Sequence, residues 1–239
     1  MIKIEDIEVM GMRKALKGMR NSMNSWDKSD SYYTCEYDFN KYKLTEISSI
    51  LANDPGCELH IGEADMNLAK RLIKAGSSES KHMRMIHVQA DVTAPLYWWK
   101  EYDTYKVSTT ANSCSTMHTL HTRNLELDDF SHDNLVSDGI NILKYLIDAL
   151  NDCREAYINY DKDINHITKE ITSKKHLWWQ MIQLLPSSYN QMRTIDLSYE
   201  TLAKIYRERK NHKLDEWHTF CDWILTLPYM KEFLEINEE

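Results

Sequence analysis

The stretch Tyr105–His118, YKVSTTANSCSTMH, follows directly on the apolar and aromatic run Ala94–Thr104, APLYWWKEYDT. It is rich in small hydroxyl and amide side chains and contains no glycine, proline or acidic residue. Serine and threonine at this density favour neither helices nor cores, but they place many hydrogen-bond donors and acceptors around a polar ligand. A solvated loop would have the same composition. What favours a binding loop is a second segment, Gln183–Trp217, with which this stretch forms a recognisable pair.

Composition limits the class of protein. The chain has 239 residues, with 29 basic and 37 acidic side chains and a net charge of −8, so no general attraction to nucleic acid is expected. Six glycines and four prolines indicate long helices and few tight turns. No apolar run is long enough for a transmembrane span, and no membrane partner is expected. The N-terminal sequence MIKIEDIEVMG lacks the core of a signal peptide, which favours a cytoplasmic location.

The five cysteines also bear on the compartment. Their number is odd and none of them has CxxC spacing, so we expect reduced thiols in a cytosolic protein and neither a disulfide framework nor a zinc site. The cysteines are Cys35, Cys57, Cys114, Cys153 and Cys221.

Hydrophobic periodicity predicts the strands. Alternating apolar residues indicate strands at Ile2–Val9, at Met83–Val92 and at Tyr189–Leu197. The polar and aromatic segment Asn24–Asp38 is interpreted as a loop or an insertion.

Apolar residues at helical spacing predict the helices, and helices outnumber strands. Glu63–Ala75 should end at Gly76 as a C-terminal cap, and Ser198 can cap the helix that follows it. The class is therefore α+β and helix-dominated. A first helix is predicted after the opening strand and through about Met23. Further helices are predicted at Tyr42–Asn53, Glu63–Ala75, Leu96–Tyr105, Asp133–Asn151, Arg154–Thr172, Trp178–Leu185, from Ser198 to about Arg209, and at His212–Leu225.

Read in order, these pieces resemble the flavin-dependent thymidylate synthase family. The family signature, R-H-R-x-x-S-x-N-x-x-S-x-R, follows a strand that ends in Ala-Pro. Here the alternating strand ends in Ala94-Pro95, and Thr110, Asn112 and Ser115 fall on the S, N and S positions of the signature.

The resemblance continues downstream. The family has a Leu-Pro turn, a strand, and a helix whose last turn carries a nucleotide-binding arginine; Leu185-Pro186 and Arg209 stand at these places. The segment Gly76–Val88, with His82, lies where the family has Gly-His, Glu-His and then a strand. The shared order covers most of the chain, from the VMG at Val9–Gly11 to the last helix.

The departures from the signature are mostly lost cations. Tyr105, Lys106 and Val107 replace R-H-R, and Met117 replaces the closing arginine. Ile182 stands four residues before the Leu-Pro proline, where the family has another arginine. In the family those cations hold flavin and nucleotide phosphates, and Lys106 alone cannot replace bidentate guanidinium contacts.

The resemblance implies a fold and an assembly. The fold is α+β and helix-dominated, with a small central sheet packed by long helices. One domain would cover 1–239, with the helical segment at about 133–185 inserted between the two site-forming parts. Such proteins are typically homotetramers whose sites are built by several chains.

The resemblance also implies a ligand set. A pyrimidine deoxynucleotide and FAD would bind, and an active member would methylate C5 of dUMP with methylene-tetrahydrofolate through reduced flavin, with NADPH as a cosubstrate. No protein cysteine serves as nucleophile, no catalytic residue is assigned and no metal is expected. By position, the substrate-binding residues would be Asn112, Ser115 and Arg209, and the cofactor-binding residues Lys106, Thr110 and His82. Arg209 could instead be a cation that only stabilises the C-terminus of its helix through the helix dipole.

Three other features have their own interpretations. Cys114 could be a nucleophile, although a small buried residue is the simpler reading. The pairs Trp98-Trp99 and Trp178-Trp179 should each place one indole in the core, and a second indole could stack on a flavin or a base.

The histidines and Asp133 that follow the polar segment suggest a different hypothesis, a metal-dependent phosphohydrolase, which would need ligands on separate helices. Its candidates are His118, His121, His132 and Asp133, with His166, His176 and Asp196 as distant partners.

Two functions remain open at this point. One is a flavin-dependent pyrimidine-nucleotide methyltransferase. The other is a non-catalytic nucleotide-binding homologue that senses or sequesters a nucleotide, which the lost R-H-R favours.

Overall fold

A computed structural model describes residues 2–36, 41–44, 46–48, 52, 54–160 and 173–236. The chain divides into two compact units, each assembled from separate stretches of sequence. Unit 1 contains residues 1–5, 91–106 and 111–194, and unit 2 contains residues 6–90, 107–110 and 195–239.

The strands form two small sheets in the described part of the chain. Four strands lie in the order β1-β5-β7-β6, and the division between the units passes through each of them. The other sheet, in the order β3-β2-β4, is antiparallel and belongs to unit 2. The strands are β1 (Lys3–Met10), β2 (Tyr32–Cys35), β3 (Lys41–Lys43), β4 (Cys57–His60), β5 (His87–Pro95), β6 (Thr109–Ser113) and β7 (Asn190–Ser198).

Helices account for most of the regular structure, as the sequence predicted. None of the described helices is both long enough and apolar enough to cross a membrane. The helices are α1 (Met12–Met19), α2 (Glu63–Lys74), α3 (Lys81–Met85), α4 (Leu96–Tyr102), α5 (Thr116–Thr119), α6 (Ser137–Ile158), α7 (Lys174–Leu184), α8 (Tyr199–Arg209), α9 (Asp215–Thr226) and α10 (Met230–Leu234).

The elements that carry the sequence signature have the expected order. β5 ends at Pro95, and α4 follows at once. After α7, the turn at Leu185-Pro186 leads into β7 and then α8, whose last residue is Arg209. The Ser198 hydroxyl accepts a hydrogen bond from the Thr201 backbone N–H at 3.3 Å and caps α8.

The core of unit 1 lies between α6 and α7, which pack against each other. Asn151 joins α6 to the preceding loop because its side-chain amide bonds both the N–H of Leu125, at 2.8 Å, and the C=O of Leu125, at 2.9 Å. α6 continues past Asn151, where the sequence predicted an end. The predicted second helix at Arg154–Thr172 lies mostly outside the described residues. The buried residues of this core are Leu120, Leu125, Phe130, Leu143, Ile147, Leu150 and Met181.

Unit 2 is held together partly by a buried ion pair. The Arg20 Nε lies 2.6 Å from the Asp65 carboxylate, and both side chains are almost fully buried. The second carboxylate oxygen of Asp65 accepts hydrogen bonds from the Ser29 and Ser31 hydroxyls. Because all these partners converge on one carboxylate, α2 is tied to the segment that follows α1.

The three-stranded sheet differs from the sequence prediction. Tyr32–Cys35 is a strand and not a loop, and Tyr42, predicted to be helical, pairs in β3 with Tyr33 of β2. Pairing between distant strands overrides weak local propensity here. Most of the rest of the predicted helix Tyr42–Asn53 lies outside the described residues.

The strand that was predicted to begin at Met83 begins later. Residues Lys81–Met85 form α3, and β5 starts at His87. Only the second part of the alternating pattern is therefore a strand.

The cysteine prediction was wrong for two of the five residues. Cys35 and Cys57 form a disulfide, because the β2–β4 register places them directly opposite each other with their Cα atoms 4.0 Å apart. Cys114, Cys153 and Cys221 are free thiols. The pairing could not be read from the sequence because it depends on strand register.

Candidate functional site

The polar segment forms a strand and a short helix. Ser108, with a φ of +51°, turns the chain into β6. The Ser108 carbonyl accepts from the Ser198 N–H at 3.2 Å, and the Met192 carbonyl accepts from the Cys114 N–H at 3.0 Å. These two bonds pair residues of rising number in β6 with residues of falling number in β7, so the two strands are antiparallel.

Thr110 and Asn112 are exposed and lie two residues apart in β6. Successive strand side chains point to opposite faces, so these two project from the same face. Ser115 precedes the first turn of α5, and its side chain forms no capping hydrogen bond with that helix. The three residues on the S, N and S positions therefore have hydroxyl and amide groups in places that a ligand could reach.

Lys106 is the one cation left in the R-H-R position. Its side chain is exposed, as is that of Val107, whereas Tyr105 is buried. The Val107 carbonyl accepts a hydrogen bond from the Thr201 hydroxyl at 2.9 Å, which fixes the backbone of this turn.

Arg193 is a second cation beside the polar segment, which the sequence reasoning missed. Its guanidinium lies 4.2 Å from the centre of the Trp99 ring and 2.9 Å from the Asp103 carboxylate. Its neighbour Gln191 donates to the Cys114 carbonyl at 2.8 Å. Nothing in the alternating pattern of β7 distinguishes Arg193. Because the Asp103 carboxylate neutralises its guanidinium, we assign Arg193 a structural role.

The tryptophan prediction was wrong for the first pair. Trp98 and Trp99 are both fully buried, and not only one of them. This is possible because Trp99 packs against Arg193 and donates its indole N–H to the Gln191 carbonyl at 2.9 Å. In the second pair, Trp179 is exposed and Trp178 is half-buried.

Arg209 lies at the C-terminal end of α8 and is half-buried. Its guanidinium carbon is 4.9 Å from the centre of the Trp217 ring in α9. An eleven-residue helix is about 16 Å long, and the polar turn contacts α8 at its opposite end, through Ser198 and Thr201. Within unit 2, Arg209 and Thr110 are therefore not brought together.

His82 is the most deeply buried of the predicted site residues. It is 2% exposed, and neither ring nitrogen has a hydrogen-bond partner among the described residues. Burial lowers the pKa of His82 to about 4, and the nearby Glu200 carboxylate opposes that shift only partly. The ring is therefore neutral at pH 7.

His82 lines a cavity within unit 2 that has a volume of about 700 Å³. Organic ligands are commonly held in pockets of about 300–1,000 Å³. The sequence reasoning did not identify the rest of this cavity, because its walls come from segments that are distant in the sequence. Its other lining residues are Lys14, Lys17, Gly18, Met19, Asn21, Ser22, Trp26, Leu72, Glu79, Lys81 and Met85.

The described residues offer no metal site. No group of three or more histidine, cysteine or acidic side chains within the described ranges could hold a metal ion. His132 instead contacts the Phe130 carbonyl at 2.7 Å, and Asp196 pairs with His87 at 2.7 Å. His166 lies outside the described residues.

Cys114 is exposed, so the prediction that it is a small buried residue was wrong.

Comparison with solved structures identifies the fold. Thymidylate synthase ThyX from Helicobacter pylori, solved with FAD and dUMP, is similar with a TM-score of 0.60 and 12% identity, over 98% of this chain and 97% of that chain. A second structure of the flavin-dependent enzyme from Helicobacter pylori, complexed with FAD and dUMP, has a TM-score of 0.60 and 14% identity, over 97% of both chains. No protein-family profile and no curated protein sequence matches the chain. At this identity the likeness concerns the fold, which is that of the flavin-dependent thymidylate synthases.

Proposed function

We propose that this chain, with the fold of the flavin-dependent thymidylate synthases, binds a pyrimidine deoxynucleotide. The observation that carries the proposal is the fold likeness over nearly the whole chain to two structures that contain FAD and dUMP. The hydroxyl and amide groups of the exposed Thr110 and Asn112 and of the half-buried Ser115 supply the donors and acceptors that a nucleotide needs.

In this proposal each residue has a distinct role. Ser115 bonds the pyrimidine or the phosphate, Asn112 fixes the loop, and Arg209 binds the nucleotide phosphate. The contact with Trp217 holds the guanidinium in place at the end of α8. Arg209 ends α8, whereas the turn that leads to Thr110 contacts the beginning of this helix. We therefore propose that a complete site includes residues from more than one chain of a homotetramer.

The residues around His82 fit a flavin. A buried ring with two unpartnered nitrogens lines a cavity of suitable volume that also contains an indole, from Trp26. His82, together with Lys106 and Thr110, would hold the FAD. When bound and reduced, the flavin supplies the reducing equivalents that turn the one-carbon unit of methylene-tetrahydrofolate into a methyl group on C5 of dUMP. His82 is neutral there and can donate one hydrogen bond and accept another.

A non-catalytic nucleotide-binding homologue is the second candidate. The observation that favours it is that two arginines outside the signature are already paired with acids: Arg193 pairs with Asp103, and Arg84 lies 3.0 Å from the Glu200 carboxylate. Neither replaces the lost R-H-R, because each already has a carboxylate partner.

Calorimetry with dUMP tests the proposal. Asn112→Ala and Ser115→Ala should each weaken binding about five- to hundredfold with little change in Tm, because each removes a ligand contact and no core volume. The same substitutions at the exposed Asn159 and Ser78 are the controls. An unchanged affinity with a collapsed Tm would show that the polar segment is structural and would overturn the assignment.

Absorbance separates the two candidates. A yellow protein with a flavin band, or one that takes up FAD on reconstitution, supports the enzyme. A colourless protein that binds dUMP and refuses FAD supports the non-catalytic homologue.

A further inference from the structure

The Cys35–Cys57 disulfide lies at one end of the β2–β4 pairing. The paired residues run from Tyr32 opposite His60 to Cys35 opposite Cys57. Among the described strands β4 is at the edge of its sheet, because the strand order is β3-β2-β4. Breaking the bond therefore leaves the pairs that begin at Tyr32 and end at Thr34 in place, and it releases only the Cys57 end of β4.

The opposite end of this pairing is fastened to α2 by hydrogen bonds. The Asp30 carboxylate, just before β2, accepts from the backbone N–H groups of Ala64, at 2.8 Å, and Asp65, at 3.1 Å. The Ser31 hydroxyl accepts from the Gly62 N–H at 3.1 Å and donates to the Asp65 carboxylate. The start of β2 therefore stays joined to the start of α2 when the disulfide is reduced.

The two cysteines of the bond differ in their exposure. Cys35 is 3% exposed, whereas Cys57 is half-buried. A thiolate breaks a disulfide by attacking one sulfur and displacing the other. A dithiol from solution can attack Cys57 and displace the Cys35 thiolate, and its second thiol then displaces Cys57. The dithiol gives up two electrons and two protons and becomes a disulfide, and both cysteines become thiols.

The chain between the two cysteines forms one wall of a second cavity in unit 2, with a volume of about 450 Å³. Leu44, in this wall, is 1% exposed, and its N–H donates to the Ser31 carbonyl at 3.2 Å. The residues Lys43, Leu44 and Glu46 lie between the cysteines, and Trp26, Asp27 and Ser29 line the cavity from outside that stretch.

The position of this wall depends on the disulfide. The cysteines are 22 residues apart in the sequence, and the bond holds their Cα atoms 4.0 Å apart. β3, which precedes Leu44, has three residues and pairs with β2. So short a strand has little stability of its own, and closing the chain around it lowers the conformational entropy that it loses on pairing.

We propose that the Cys35–Cys57 bond is a reversible redox switch that a dithiol operates. In the oxidised protein the bond holds β3 and Leu44 as a wall of the second cavity. In the reduced protein β3 and Leu44 separate from β2 and the cavity opens, while the connection from β2 to α2 keeps the rest of unit 2 folded.

Hydrogen exchange read by mass spectrometry tests the switch on the full-length protein. Alkylation should find three thiols before treatment with dithiothreitol and five after it, because Cys114, Cys153 and Cys221 are free. Reduction should speed the exchange of the β3 and Leu44 amides at least about tenfold and leave that of the α2 amides within about twofold. Removal of the dithiol and addition of oxidised glutathione should restore the slow exchange.

Two variants complete the experiment. The double variant Cys35→Ser and Cys57→Ser should exchange like the reduced protein with or without dithiothreitol. Cys153→Ser removes a free, half-buried thiol of unit 1 and should respond to dithiothreitol as the unchanged chain does.

Three results would overturn the proposal. Five thiols before treatment would mean that the bond does not form. Unchanged exchange of the β3 amides on reduction would mean that the bond does not hold the wall. Faster exchange throughout α2 as well would mean that the bond stabilises all of unit 2 and is not a local switch. Each of these results can be obtained on the unsubstituted chain, so the conclusion does not depend on how the variants fold.

Discussion

His82 is a buried histidine with a pKa of about 4, well below its ordinary value of 6.5. The unfolded chain therefore binds more protons than the folded chain between pH 6.5 and about 4. Stability should fall as the pH drops through this window and is fully present above pH 6.5. The pKa difference corresponds to about 3 kcal/mol.

Urea denaturation at pH 7.5 and pH 4.5 measures this effect. In His82→Gln, the difference in unfolding free energy between the two pH values should shrink by about 3 kcal/mol, because glutamine does not titrate. His118→Gln makes the same change at an exposed position and should leave the difference as it is. Equal pH dependence in the two variants would contradict burial of a neutral imidazole.

Arg209 gives a second prediction at the level of the residue. Arg209→Ala should weaken dUMP binding strongly and Arg209→Lys less so, because an ammonium cannot make two parallel bonds to a phosphate. Arg207 is exposed and lies about 200° around α8 from Arg209, so Arg207→Ala should bind normally. Calorimetry with dUMP on the three variants is the measurement. Equal losses at both arginines would indicate a general basic surface instead of a phosphate site.

Single residues show where sequence reasoning succeeds. The cap at Ser198 and the position of Arg209 at the end of α8 followed from local patterns and were confirmed. The lysines of the cavity, the pairing of Arg193 with Asp103 and the Cys35–Cys57 bond were missed. Each of these depends on which distant segments meet, and short-range spacing does not report that.

At the level of elements, α1 begins at a glycine that its surroundings require. Gly11 has a φ of +89°, and a Cβ there would collide with the Met85 backbone oxygen. Gly76, after α2, has a φ of +105° with open space around it. Both positions are strained for an L-residue, but only the first also lacks room.

The two glycines form a matched pair. Gly76→Ala should cost about 1 kcal/mol from backbone strain alone, whereas Gly11→Ala should cost at least about 2 kcal/mol more, because α1 and α3 must also move apart. Chemical denaturation of both variants gives the comparison. If the two costs were equal, the close approach of α1 to α3 would be wrong.

The elements themselves were predicted unevenly. Helices with a strong 3.6-residue period, such as α2 and α9, were found within about three residues of their ends. The short strands β2, β3 and β4 were missed because each has only three or four residues and gains its stability from pairing. The start of β5 was misplaced because the residues of α3 continue its alternating pattern.

For the molecule as a whole, we expect a homotetramer. Arg209 ends α8, and the turn that leads to Thr110 contacts the other end of this helix, so we propose that several chains complete the site. Light scattering at micromolar concentration should give four times the 28.3 kDa chain mass. A monomer mass would contradict both the assembly and the shared site, and the affinity for dUMP should fall on dilution into the monomer range.

The way in which the two units are threaded has a consequence for the gene. The chain passes from one unit to the other five times, and each unit is built from three separate stretches of sequence. Neither unit is a continuous stretch of sequence, so recombination at one breakpoint cannot transplant one of them alone into another protein. A stop codon before residue 91 should therefore leave neither unit complete, because it removes two of the three stretches of each.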